Sequence, residues 1–111
     1  MPKVTYTESK GLVQATGAGL NINSITSVAA AGNLDGKTFL TVTTANIAGD
    51  GLVLPSSADT GAIKIIISDT ADDVLLKGTN ASTGDITLTN IGDMAICIFN
   101  GTEWIVGRSL T

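Results

Sequence analysis

The sequence predicts an all-β protein, a small sandwich or barrel preceded by an extended N-terminal arm. Three observations carry that expectation. Short runs rich in Val, Ile, Leu and Thr recur at near-even spacing along the chain. Clusters of Gly, Asp, Asn and Ser separate them, and thirteen glycines against two prolines suit many tight turns. No window of helical length shows apolar residues cleanly at i, i+3, i+4 and i+7.

The elements follow in order. Val4 to Thr7 reads as a short extended arm. Gly11 to Thr16 and Leu20 to Asn23 are short strands on either side of the turn Gly17-Ala18-Gly19. Residues 1–20 are polar, glycine-rich and without a strong apolar face, so they are assigned to a loosely held arm, and residues 21–111 to the β-rich domain. Ser24 to Ala31 is the best competitor for a short helix, since it is Ala-rich. Its β-branched residues and the closing Gly32 argue against one. Lys37 to Thr43 is a better strand, introduced by Asp35-Gly36. Leu52 to Leu54 stops at Pro55, which marks an edge or a strand end.

Ala62 to Ser68 is the strongest strand. Ile63, Ile65 and Ile67 alternate onto one face and Ile66 onto the other, so this strand is expected to be covered on both sides. Val74 to Lys77 follows the acidic turn from Asp69 to Asp73. Asp85 to Thr89 places Ile86 and Leu88 on one face. Met94 to Phe99 and Glu103 to Val106 flank Asn100-Gly101, the strongest short-range hairpin signal in the chain. Eight to ten short strands of this kind indicate a sandwich or barrel, with no linker and no convincing internal repeat.

Composition limits the chemistry. A chain of 111 residues fits one domain with a real core. Hydrophobic residues make up 43% and charged residues 14%, so some apolar surface is available for partners. Aromatics are few (Tyr6, Phe39, Phe99 and Trp104), and the core must be aliphatic. Six basic residues spread through a chain of net charge −4 leave no basic stripe for nucleic acid and no polybasic segment for a membrane. The longest apolar run, Ile65-Ile66-Ile67, is far short of a span, and the N-terminus lacks an apolar signal core. The chain is therefore expected to be made in a cytoplasm and to be soluble there.

No histidine is present, which removes the usual Ser–His–Asp and Cys–His nucleophile systems and the commonest metal ligand. The single Cys97, within Ala95-Ile96-Cys97-Ile98, reads as a small buried hydrophobe. Gly17-Ala18-Gly19 and Gly49-Asp50-Gly51 lack the Lys-Ser/Thr pair of a phosphate loop. Asp69, Asp72 and Asp73 are the one place a hard cation could be held, although their spacing is not that of an EF-hand; a solvated turn is the simpler reading. Asn80 and Asn100 match glycosylation acceptors but read as turn residues. Trp104 reads as the anchor of the last hairpin. No cofactor and no enzymatic activity are expected.

The C-terminal half carries a pattern of its own. Leu54-Pro55 is followed by Gly61 to Ile67, by Ile86-Thr87-Leu88 and by Gly92 to Ile98, and it closes with Asn100-Gly101-Thr102-Glu103-Trp104. This resembles β-modules in structural proteins of tailed bacteriophages. Chain length and the polar lead-in from Lys3 to Leu12 make it most similar to the head decoration, or cement, proteins. That resemblance implies a homo-oligomer, a trimer, on the outer surface of the capsid. It also implies an arm that bridges neighbouring major capsid protein subunits, with Val4, Tyr6 and Leu12 as its anchors. The alternative is a tail-fibre tip or other receptor-binding module of a virion.

Overall fold

A computed structural model of the chain describes residues 25–110 in full, and residues 3–7 and 11–16 as backbone. The fold is all-β, and no helix occurs among the described residues. Among the described residues eleven strands form three sheets. β1 (Lys3–Thr7) and β2 (Gly11–Thr16) pair antiparallel as a two-stranded ribbon. Five strands form the larger sheet in the order β11 (Trp104–Ser109), β10 (Met94–Phe99), β7 (Ile63–Ser68), β5 (Leu40–Thr43), β3 (Ile25–Val28). Four form the facing sheet in the order β4 (Gly32–Asn33), β6 (Ile47–Val53), β8 (Val74–Leu76), β9 (Ile86–Leu88).

The connectivity is a coil. From β3 to β8 the chain alternates strictly between the two sheets. As a result β3, β5 and β7 stack in parallel in one sheet, and β4, β6 and β8 stack in parallel in the other. Parallel neighbours need a crossover connection, commonly a helix. Here a strand of the opposite sheet makes each crossover. Only then does the chain turn back: β9 pairs antiparallel with β8, and β10 and β11 close the larger sheet as an antiparallel hairpin.

The expected strands are present from residue 25 onward, with shifted ends. Ile25–Val28 is a strand and not a helix, because Ile25, Thr26 and Val28 are β-branched and find a parallel partner in Leu40–Thr43. Within the expected arm of residues 1–20, Lys3–Thr7 and the expected strand Gly11–Thr16 pair with Tyr6 opposite Leu12, and the rest of the arm lies outside the described residues. The expected strand at Leu20–Asn23 and the turn at Gly17-Ala18-Gly19 lie outside the described residues.

Two local features show how sequence enforces this topology. Gly49-Asp50-Gly51 is a bulge inside β6, where the register with β8 shifts between Ile47 and Leu52. Gly49 and Gly51 both sit at φ 65°, and a Cβ at Gly51 would lie 2.8 Å from the Leu75 carbonyl oxygen. The last hairpin turns at Asn100-Gly101 as the sequence indicates. Its loop has four residues, with Phe99 opposite Trp104. The Asn100 Oδ1 accepts the Thr102 and Glu103 N–H groups, each at 2.9 Å.

The core lies between the two large sheets. The four-stranded sheet contributes Ile47, Leu52, Val74, Leu76, Ile86 and Leu88, and the five-stranded sheet contributes Ile66, Ala95, Cys97, Phe99 and Trp104. Trp104 anchors the hairpin as expected. It is fully buried, meets Phe99 edge-on at 5.3 Å between ring centroids, and donates its indole N–H to the Pro55 carbonyl at 2.9 Å.

Candidate interaction surface

The two faces of the five-stranded sheet have opposite chemistry. Its inner face carries Thr41, Thr43, Lys64 and Ser68 among the buried positions. Its outer face carries the isoleucines. Because residues paired across a ladder share a face, the register defines that outer face row by row. One row runs Ile25, Leu40, Ile65, Ile96, Gly107. A second holds Ile63, Ile98 and Ile105. A third runs Ser27, Val42, Ile67, Met94, Ser109. Ile25, Ile63, Ile96, Ile98 and Ile105 are 41 to 59% exposed, and Leu40, Val42, Ile65, Ile67 and Met94 are half-buried by their neighbours. No position of the three rows is charged.

Within the described residues β7 is fully covered only on the Ile66 side, not on both sides as expected. Ile66 is buried as expected, but the Ile63, Ile65 and Ile67 side faces outward from the sandwich. What lies inside beside Ile66 is Lys64 and Ser68. The reason is packing against the neighbouring strand. Lys64 stands opposite Cys97 and Ile66 opposite Ala95, and those small side chains leave room for a long one. The large Ile96 and Ile98 stand on the other face.

Every buried polar group on the inner face has a partner, as the cost of burying it alone requires. The Lys64 ammonium, 1% exposed, donates to the Thr38 carbonyl and lies 3.8 Å from Asp35. Burial pushes its pKa down, and Asp35 opposes that shift. The Asp35 carboxyl accepts the N–H and hydroxyl of Thr38 and the N–H of Lys37, which hold its pKa at about 2. Thr43 donates to the Ile67 carbonyl and Ser68 to the Thr70 carbonyl. Burial raises the Cys97 thiol to about 11, so it behaves as a small hydrophobe.

The other candidate residues resolve into turns. Asp72 accepts a hydrogen bond from the Thr70 hydroxyl, which in turn accepts the Asp72 N–H. Among the described residues no three acidic or thiol side chains converge as a metal site. Asn80 takes a positive φ of 64° and donates to the Leu54 carbonyl, a structural turn role. Two open depressions mark the surface. One is lined by Gly36, Lys37, Ser57, Ala58 and Asp59, the other by Asn33, Leu34, Val53, Leu54, Pro55, Ser56 and Asn80. Neither brings two carboxylates together.

The arm residues are placed by backbone only. Tyr6 pairs with Leu12 and Val4 with Gln14 in the ribbon; their side chains lie outside the described residues. The isoleucine face was missed as a surface by sequence reasoning, although its signal was present: Ile63-Lys64-Ile65 and Ile96-Cys97-Ile98 both alternate isoleucine with a residue that turned out to be the buried one.

No known protein family matches the chain, and no curated protein matches it in sequence.

Proposed function

We propose that this chain is a non-enzymatic structural subunit of a virion, a head decoration protein that binds the outside of a tailed-phage capsid and stabilises the shell. The observation that carries the reading is the broad, charge-free isoleucine face on a sandwich whose buried polar groups are already satisfied among themselves. Such a molecule acts through area, by covering and being covered. The resemblance of its C-terminal half to phage structural β-modules supplies the setting.

The mechanism follows from linkage. A subunit that binds only the assembled shell stabilises that state by mass action. A trimer adds avidity, since its second and third contacts are effectively intramolecular. The arm contributes by strand addition to an exposed edge of the major capsid protein, with Val4, Tyr6 and Leu12 as anchors. Among the described residues β1 and β2 pair only with each other, so each presents an edge for that purpose. Ordering the arm costs about 1–2 kcal/mol per residue, so several backbone hydrogen bonds must form on the shell. Neither nucleic acid nor membrane enters this scheme, and no cofactor is needed.

Sedimentation with expanded capsids tests the proposal. The full chain is expected to pellet with the shells, and a chain lacking residues 1–12 is expected to remain folded and stay in the supernatant. Binding of the truncated chain at full-length affinity would refute the role of the arm. Virions imaged without this subunit on the shell would refute the decoration reading.

One observation favours the alternative, a tail-fibre or receptor-binding module. The coil from β3 to β8 is a design that lengthens by adding turns, as shafts do. Locating the subunit on the virion by electron microscopy separates head from tail.

A further inference from the structure

We infer that the outer face of the five-stranded sheet is a self-association surface, and that its occupant is the same face of another copy of this chain. The inference deepens the proposed function and rests on its premise that the chain works by surface contact.

Three properties of the face point to a copy of itself. The first is charge. Rows spanning β3, β5, β7, β10 and β11 contain no ionisable side chain, although the chain carries sixteen Lys, Arg, Asp and Glu residues. A charge-free face is complementary to another charge-free face, and this chain carries one. The second is area. The five strands contribute four to six residues each, and at about 4.8 Å between strands and 3.3 Å per residue the sheet covers roughly 400 Å² in projection. The accessible area of ridged side chains exceeds their projection. The face alone projects about half of the roughly 800 Å² per partner buried in a standard interface, and it is of the size of the largest apolar patch on a typical monomer, a patch that is often functional.

The third is shape. A β-sheet is twisted in one hand, so an apolar sheet face is matched only by a surface with compatible twist. A second copy supplies that twist automatically. Two such sheets stack about 10 Å apart with their strands about 30° off parallel, side chains interdigitating. In the trimer proposed above the three faces turn toward the common axis. In either arrangement Ile65 and Ile96, adjacent in the long row, lie near the centre of the contact, with Ile63, Ile98 and Ile105 beside them.

The decisive experiment measures the mass of the full-length protein by analytical ultracentrifugation at tens of micromolar, for wild type and three variants. Ile65→Asp with Ile96→Asp places two carboxylates in the middle of the face. Ile91→Asp is the control, since Ile91 is 63% exposed but lies in the turn before β10 and off the face. Wild type and Ile91→Asp are expected to sediment as the same oligomer. The double variant is expected to fall to the mass of one chain, 11.2 kDa, with the fluorescence of the oppositely facing Trp104 retained. Should the double variant fail to fold, Ile96→Cys decides. A short bis-maleimide, long enough to span the separation of the stacked sheets, is expected to link it into a covalent pair, while the buried Cys97 stays unreacted.

A monomeric wild type overturns the inference, because the face is then left to the rest of this chain or to a different protein. A folded double variant of unchanged mass overturns it as well, and so does an oligomeric Ile96→Cys protein that forms no cross-link. The capsid pelleting assay reads the parent proposal separately. A monomer that still pellets with shells removes only the self-association surface. An oligomer that dissolves on Ile65→Asp/Ile96→Asp but never binds shells removes only the decoration role.

Discussion

The inner and outer faces of the five-stranded sheet differ in a direction opposite to the usual one. Toward the core it turns Lys64, Ser68, Thr41 and Thr43 among its apolar residues, and away from the core it turns Ile25, Ile63, Ile65, Ile67, Ile96, Ile98 and Ile105. The inner face tolerates Lys64, Thr43 and Ser68 because each donates a hydrogen bond to a backbone carbonyl. The outer face has no such compensation, because an isoleucine in water can be relieved only by being covered. The lesson is that burial within one chain and hydrophobicity are separate quantities.

The sharpest way to break this comparison is at adjacent residues of β7 and β10. Trp104→Ala removes the largest inner side chain and leaves the Pro55 carbonyl without its indole donor. A loss of about 3–5 kcal/mol in urea unfolding is expected. Ile66→Ala, on the same inner face, is expected to cost about 2–5 kcal/mol, and the cost will be the same at every protein concentration. Ile65→Ala, one residue away on the outer face, is expected to cost less than about 1 kcal/mol in dilute protein, rising with concentration as the associated state is populated. Equal and concentration-independent losses at the two positions would erase the distinction between the faces.

Lys64 tests why a charge is tolerated inside. Lys64→Ala empties its site and strands the Thr38 carbonyl, and a cost of about 2–4 kcal/mol is expected. Lys64→Met keeps the volume and is expected to come within about 1 kcal/mol of wild type, because a buried ion pair replaced by a well-packed apolar group is often neutral. A large loss in both variants would mean that the charge itself holds the Asp35–Thr38 turn.

The smallest effects come with pH, and their signs are fixed. Asp35 has its carboxyl held at about 2 against an ordinary 3.8, so its contribution is present above pH 4 and is lost as pH falls through 2. Stability of Asp35→Ala is expected to fall less than that of wild type over that window. At the alkaline end, Cys97 keeps its proton to about 11 in the fold while the unfolded chain releases it near 9. That lowers stability between pH 9 and 11. Lys64 acts in the opposite sense: its folded pKa is depressed below 10.5, so the unfolded chain holds the extra proton and stability rises with pH there. Lys64→Met is therefore expected to lose stability more steeply above pH 9 than wild type, and Cys97→Ala less steeply, in melts recorded across that range.

Local alternation of side chains and the positions of Gly, Asp and Asn were enough to determine that this chain is all-β, to place most strands from residue 25 onward, to set the Asn100-Gly101 hairpin and to name Trp104 as its anchor. Those features depend on neighbours within a few residues, where backbone sterics and side-chain period act directly. The tertiary structure alone decided two things. It decided that β3 to β8 wind as a parallel coil between two sheets, because parallel pairing joins residues far apart in sequence and leaves no local signal. It also decided which side of β7 faces the core. A period of two divides Ile63, Ile65 and Ile67 from Lys64, Ile66 and Ser68 without saying which set is inside. The small Ala95 and Cys97 opposite Ile66 and Lys64 made that choice, and in making it they left the isoleucines on the outer face.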